Sequence, residues 1–168
     1  MKLNPEAKVV NRPETTIAYI RHIGPYAGDT DLFKNLFGRL YQWAAPRGLA
    51  CMDHPETAAQ IVIYHDDPAV TEPEKLRLSV GITISPDTEI SGEIGKMTIP
   101  GGDYVQAHFV LGPQDFGEAW GWVCGGWMPS SGYQPGDGLC FEQYAYDEEA
   151  QKEGKFDVTI CVPVKPME

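Results

Sequence analysis

Long apolar runs are missing from this chain, and no stretch approaches the roughly 18 residues that a membrane-spanning helix needs. Basic residues are scarce as well, 13 Lys and Arg against 24 Asp and Glu, which leaves a net charge of −11. Such a field repels phosphate backbones and attracts cations, so no direct nucleic-acid partner is expected. The four cysteines, Cys51, Cys124, Cys140 and Cys161, lack Cys-x-x-Cys spacing, and His22, His54, His65 and His108 stand at no zinc-finger distance from them. Neither a metal nor a cofactor is expected, and the thiols read as reduced structural residues. There is no Gly-rich phosphate loop, no Gly-x-Ser-x-Gly elbow and no His-Glu-x-x-His pair. The start of the sequence, Met1-Lys2-Leu3-Asn4-Pro5-Glu6, has no signal-peptide core, so the expectation is a cytoplasmic protein with no membrane partner. Apolar residues at 42% and charged residues at 22% are ordinary for one folded domain. A chain of this length buries about 70% of its unfolded surface and needs no staple.

What the chain does have is an internal echo. Tyr19-Ile20-Arg21-His22-Ile23-Gly24-Pro25 is answered by Ala107-His108-Phe109-Val110-Leu111-Gly112-Pro113, an offset of 112 − 24 = 88. Trp43 and Gly48-Leu49 meet Trp127 and Gly132-Tyr133 at 127 − 43 = 84, and Gln60-Ile61-Val62-Ile63-Tyr64 meets Cys140-Phe141-Glu142-Gln143-Tyr144 at 140 − 60 = 80. The reading is α+β: two pseudo-twofold strand-helix-strand-strand modules, about 7–84 and about 93–165, within a single domain 1–168. Antiparallel sheets would carry the helices on their outer faces and leave a ligand groove at the seam.

Local patterns supply the elements. Thr16 to Ile23 is β-branched and aromatic and stops at Gly24-Pro25, which predicts a strand. Asp29-Thr30-Asp31 caps a helix whose apolar face is Leu32, Phe33, Leu36, Phe37, Leu40 and Trp43 and which ends before Pro46. Strands follow at 59–64 and 76–84, with Leu78, Val80, Ile82 and Ile84 on one face and Ser79, Gly81 and Thr83 on a more open, polar one. In the second half, 104–111 is a strand and 114–127 a helix with Phe116, Ala119, Trp120, Val123 and Trp127 as its stripe, weakened by Gly121, Gly125 and Gly126. Strands at 141–146 and 156–164 close the module, with Phe156, Val158, Ile160, Val162 and Val164 facing the helix.

Glu142 stands out because its repeat mate is the apolar Val62 (142 − 80 = 62). With Phe141 against the helix, alternation turns Glu142, together with Tyr144 and Thr159, toward the seam. A partly buried carboxylate there suits a cationic ligand. Tyr64 and Tyr144 share parity with Val62 and Glu142, and Tyr104 also lies on a strand. Trp122 falls off the apolar helix stripe, and Trp127 joins it as a wall; His108, opposite in parity to Val105, Ala107 and Phe109, is a donor or base at the seam. Aromatic walls around one acid favour flat cations through stacking and cation–π attraction.

The ordered set Arg12-Pro13-Glu14, Ala18-Tyr19-Ile20-Arg21-His22, Gly24-Pro25-Tyr26, Trp127-Met128-Pro129-Ser130-Ser131-Gly132-Tyr133, Phe141-Glu142-Gln143-Tyr144 and Ile160-Cys161-Val162-Pro163-Val164 resembles the gyrase-inhibitor-like (GyrI-like) family over about residues 7–165. The resemblance implies two SH2-like modules around a central groove. It is shared with the effector-binding domains of AraC-type and MerR-type multidrug regulators, but leaves no room in this sequence for their helix-turn-helix. It also implies a place for Glu142 and Tyr144 in an aromatic drug pocket. Three functions follow as expectations: a stand-alone binder of an aromatic or cationic amphipathic compound; a hydrolase of cyclopropane-bearing genotoxins, with Glu142 as general base and Tyr144 or a Trp N–H steadying charge; or a protein partner of DNA gyrase or another protein. Fold alone does not choose among them.

Overall fold

Alternation, capping and turn chemistry build nine strands and three α-helices in the computed structural model, which describes residues 6–26, 29–47, 60–67, 70–145 and 148–167. The strands are β1 (Ala7–Arg12), β2 (Thr15–Ile23), β3 (Gln60–Tyr64), β4 (Arg77–Ile84), β5 (Gly95–Ile99), β6 (Gly102–Leu111), β7 (Tyr133–Pro135), β8 (Cys140–Ala145) and β9 (Phe156–Pro166). The helices are α1 (Thr30–Ala44), α2 (Phe116–Gly121) and α3 (Glu148–Lys152). The fold is α+β, and the strand pairings within each of its two units are antiparallel. Gly48-Leu49, Cys51, His54, the start of the 59–64 strand and Tyr146 lie outside the described residues.

The chain divides into two units. Glu14–Ile99 form the first; the residues up to Pro13 and from Pro100 onward form the second. In the first unit the strand order is β5-β2-β4-β3. Helix α1 begins where Asp29 Oδ1 accepts from the Leu32 amide at 3.0 Å, satisfying one of the free first-turn donors. Its buried residues Leu36, Leu40 and Ala44 recur every four positions, and the last turn tightens into a 3₁₀ turn over Ala45–Arg47 at Pro46. β2 ends at Gly24, whose φ of +133° a side chain would resist.

In the second unit the order is β1-β6-β9-β8, with β7 added along the far end of β9. Each unit therefore runs edge strand, first strand, third strand, second strand, with its principal helix between the first and second strands in sequence. The repeat extends to single rows. Ile20, Val80 and Val62 lie opposite one another in the first unit, as Ala107, Ile160 and Glu142 do in the second. The offset is 80 in the last two strands and 107 − 20 = 87 in the first, one less than the Gly-Pro pairs give.

Two expectations need correction here. The module bounds 7–84 and 93–165 differ from the observed units because the edge strands are exchanged: β1 pairs with β6 and β5 with β2. The break comes at Pro13, which has no amide hydrogen to continue a ladder. The face of β4 expected to be open is closed at Ser79 and Gly81, both buried.

Candidate functional site

Strand β8 carries a fully buried acid: Glu142 is 0% exposed, as is Phe141 beside it. Directly opposite residues of an antiparallel pair project to the same side. Glu142 sits opposite Ile160, which shares a core with Ala107, Val158, Ala119 and Val123, the last two from the helical segment. The Glu142 side chain therefore points toward the helix, not away from it. Phe141, opposite Cys161, takes the other face, where its ring meets Tyr104 edge-on at 5.7 Å and lies 4.9 Å from the Arg12 guanidinium. Thr159, opposite Gln143 and His108, also lies on that other face. The expectation inverted the phase of β8 because it took the apolar residue as the helix-facing one.

Beyond Gly121 the helical segment abandons regular spacing. After α2 the backbone widens into a π-helical turn over Trp122–Trp127, in which the Met128 amide donates to the Val123 carbonyl, five residues back, before a 3₁₀ turn at Met128–Ser130. Gly121, Gly125 and Gly126 supply the backbone freedom for this departure. The single tryptophan stripe expected for a regular helix is thereby split. Trp120 Nε1 donates to Glu142 Oε2 at 2.7 Å, Trp122 meets Phe109 edge-on at 6.2 Å, and Trp127 stacks on Tyr133 at 6.1 Å. All three indoles pack on the same apolar core.

Tyr144, two residues along β8 and so on the same face, donates its hydroxyl to Glu142 Oε1 at 2.6 Å. Both distances fall in the short range of hydrogen bonds to a charged acceptor. Burial first, then the charge of Glu142 and the bond to it, push the Tyr144 phenol well above its ordinary value. It therefore stays a proton donor at physiological pH. Phe116, Tyr144 and Phe156 form a triangle of rings with centroids 5.9–6.5 Å apart, and Phe156 at 40% exposure is its outward corner.

Of the residues singled out in sequence, Glu142, Tyr144, Trp122 and Trp127 share this side of the second unit. Tyr104 and His108 do not. Tyr104 is buried with its hydroxyl donating to the Pro100 carbonyl at 2.7 Å, and His108, exposed on the same face away from the helix, has Nε2 2.7 Å from Asp157 Oδ1. Tyr64 belongs to the first unit, its ring 5.4 Å from that of Tyr26. The apolar pattern of the sequence marks Trp120, Phe116 and Phe156 as plain core residues. Only a donor-bearing ring at the helix position facing β8 distinguishes Trp120, and that requires the helix-to-strand phase. Among the described residues no helix is long and apolar enough to cross a membrane.

Residues 5–165 match the GyrI-like small molecule binding domain. The chain is 29% identical over 168 residues to a DNA gyrase inhibitor of Yersinia enterocolitica, covering 94% of this chain and 96% of that one. Among solved structures it resembles the EcmrR C-terminal domain, with a TM-score of 0.78, 18% identity, and 98% and 100% of the two chains covered. It also resembles SAV2435 bound to tetraphenylphosphonium, with a TM-score of 0.62, 14% identity, and 95% and 94% covered. The two structural likenesses speak for the fold, and the match along nearly the whole sequence speaks for descent: the chain belongs to the GyrI-like small-molecule-binding domain family.

Proposed function

We propose that the second unit binds an aromatic cation, with Glu142 as its charge partner and Phe116, Tyr144 and Phe156 as its walls. The observation that carries this reading is a carboxylate 0% exposed at a position where the repeat has valine, oriented by two ring-borne donors. Burying an ion costs several kcal/mol, charged hydrogen bonds return about 1.5–3 kcal/mol each, and a bound cation would add to that compensation. That a protein of like fold was solved with tetraphenylphosphonium, a cation wrapped in phenyl rings, supports the choice of ligand class.

Hydrolysis is the second reading, because an acceptor and a protonated phenol stand 2.6 Å apart, as a base and an acid would. The geometry favours binding, since both donors are spent on the carboxylate instead of facing a site of developing substrate charge. DNA gyrase enters as a partner through the name of the Yersinia relative.

Calorimetric titration with tetraphenylphosphonium and with neutral triphenylphosphine oxide tests the proposal. Glu142→Gln keeps the shape and deletes the charge, so affinity for the cation should fall at least about tenfold while the neutral compound is unaffected. Equal losses for both compounds, or none, would refute the electrostatic role. Product formation from a strained cyclopropane, abolished in the same variant, would instead favour the hydrolase. Inhibition of gyrase supercoiling that survives the substitution would point to a protein surface elsewhere.

A further inference from the structure

The face of the first unit's sheet opposite Val80 carries a polar cluster that the Glu142 reading does not use. Ser79 on β4 is fully buried and lies opposite Arg21 on β2. The Arg21 Nε donates to Ser79 Oγ at 3.4 Å, and the same oxygen is 2.8 Å from His65 Nε2. Arg21 is held in place from below, its guanidinium 5.3 Å from the Tyr19 ring centroid. That ring is itself fixed, because it lies across Gly95, where a Cβ would come within 2.6 Å of it.

Two other arginines of this unit are closed by acids, Arg39 by Glu93 and Arg77 by both oxygens of Asp66 at 2.9 and 3.0 Å, while Arg47 donates to the Trp43 carbonyl and to Ser91. Arg21 is exposed and makes no ion pair among the described residues, in a chain that carries 24 acidic side chains. The second unit shows what the same position looks like when filled. There His108 lies opposite Thr159 as Arg21 lies opposite Ser79, and the Asp157 carboxylate sits 2.7 Å from His108. The repeat mate of Asp157 is Arg77 (157 − 80 = 77), so the first unit has a cation where the second has its own anion.

We propose that Arg21, Ser79 and His65 form a binding site for a small oxyanion, the carboxylate or phosphate group of a ligand. The planar guanidinium fork matches either group in a two-point hydrogen bond. The buried Ser79 hydroxyl, bonded to both Arg21 and His65, fixes the two side chains relative to each other. His65 is coupled to this site. Burial and the nearby Arg21 and Arg77 charges hold its imidazole below the usual value, against a smaller opposing pull from Asp66. A bound anion offsets the two arginines and favours imidazolium, so binding should take up a proton and strengthen as pH falls.

The test is an NMR titration of the His65 ring with inorganic phosphate, acetate and chloride at constant ionic strength, using His22 and His108 as internal references. A saturable change confined to His65, with its midpoint moved to higher pH by phosphate or acetate but not by chloride, is expected, and the stronger of the two anions identifies the group. Arg21→Gln, a change at an exposed residue, should weaken that binding at least about tenfold with the circular dichroism spectrum intact. The site is refuted if His65 shows no saturable response to either oxyanion, if chloride matches them, or if Arg21→Gln binds equally well. None of these outcomes depends on the Glu142 reading, because the probes carry no aromatic cation.

Discussion

Replacing Tyr144 with phenylalanine removes one oxygen atom and leaves the ring against Phe116 and Phe156. That oxygen donates to Glu142 at 2.6 Å. A hydrogen bond to a charged group contributes about 1.5–3 kcal/mol. Because Glu142 is 0% exposed, bulk water does not replace the lost donor, which places the cost in the upper part of that range, about 2–3 kcal/mol. In a Glu142→Gln background the acceptor is neutral, and the same deletion should cost about 0.5–1.5 kcal/mol. The double-mutant cycle then closes with a coupling of about 1–2 kcal/mol. Urea denaturation of the four proteins at neutral pH, followed by far-ultraviolet circular dichroism, measures each corner. A cost for Tyr144→Phe below about 0.5 kcal/mol, or one that is the same in both backgrounds, would mean that the phenol does not serve a buried anion.

Because the folded value of the Tyr144 phenol lies above that of an unfolded tyrosine near 10, its contribution to stability is intact below about pH 10 and fades as pH rises toward the folded value. An ultraviolet alkaline titration should show this group, and Tyr41, which burial pushes up to about 12, ionising late or only with unfolding. Burial pushes the thiols of Cys140 and Cys161 up to about 11, whereas Cys124 is exposed. Peptide mapping after brief alkylation near about pH 8 should find Cys124 modified well ahead of the other two. Gly95→Ala drives a Cβ to 2.6 Å from the Tyr19 ring and should cost about 1–3 kcal/mol. Gly117→Ala, with nothing within 4 Å of the new methyl in α2, should stabilise by up to about 1 kcal/mol, and denaturation midpoints of the pair should move in opposite directions.

The doubled strand-helix-strand-strand order was legible in the sequence because Gly-Pro pairs stop a strand in each half and the apolar spacing then changes from two to three and four. Glu142 was legible because its mate in the repeat is valine. Its direction was not, for alternation fixes a phase only when one face is wet, and β8 is buried on both faces at Phe141 and Glu142. The part played by Trp120 was hidden for a related reason: it sits on the apolar stripe of α2 like any core residue, and only the phase of β8 shows that its N–H meets an acid. The exchange of β1 and β5 left only a faint trace in Pro13, since edge pairing depends on long-range register that local composition does not encode.

That exchange makes the chain a circuit within a circuit. The strands at the two ends of the first unit are already partners, with Thr15 opposite Ile99, and the strands flanking it in the second unit are partners too, with Arg12 opposite Gly102. Excising 14–99 would leave Pro13, Pro100 and Gly101 to span β1 and β6, a loop of the length that hairpins ordinarily use. The first unit is thus a cassette inserted between two strands of its host, β1 and β6, that pair with each other directly. The Glu142 cluster is written entirely in the host and the Arg21 cluster entirely in the cassette, so each set of side chains is free to drift toward a new ligand without rewriting the strands that hold the other.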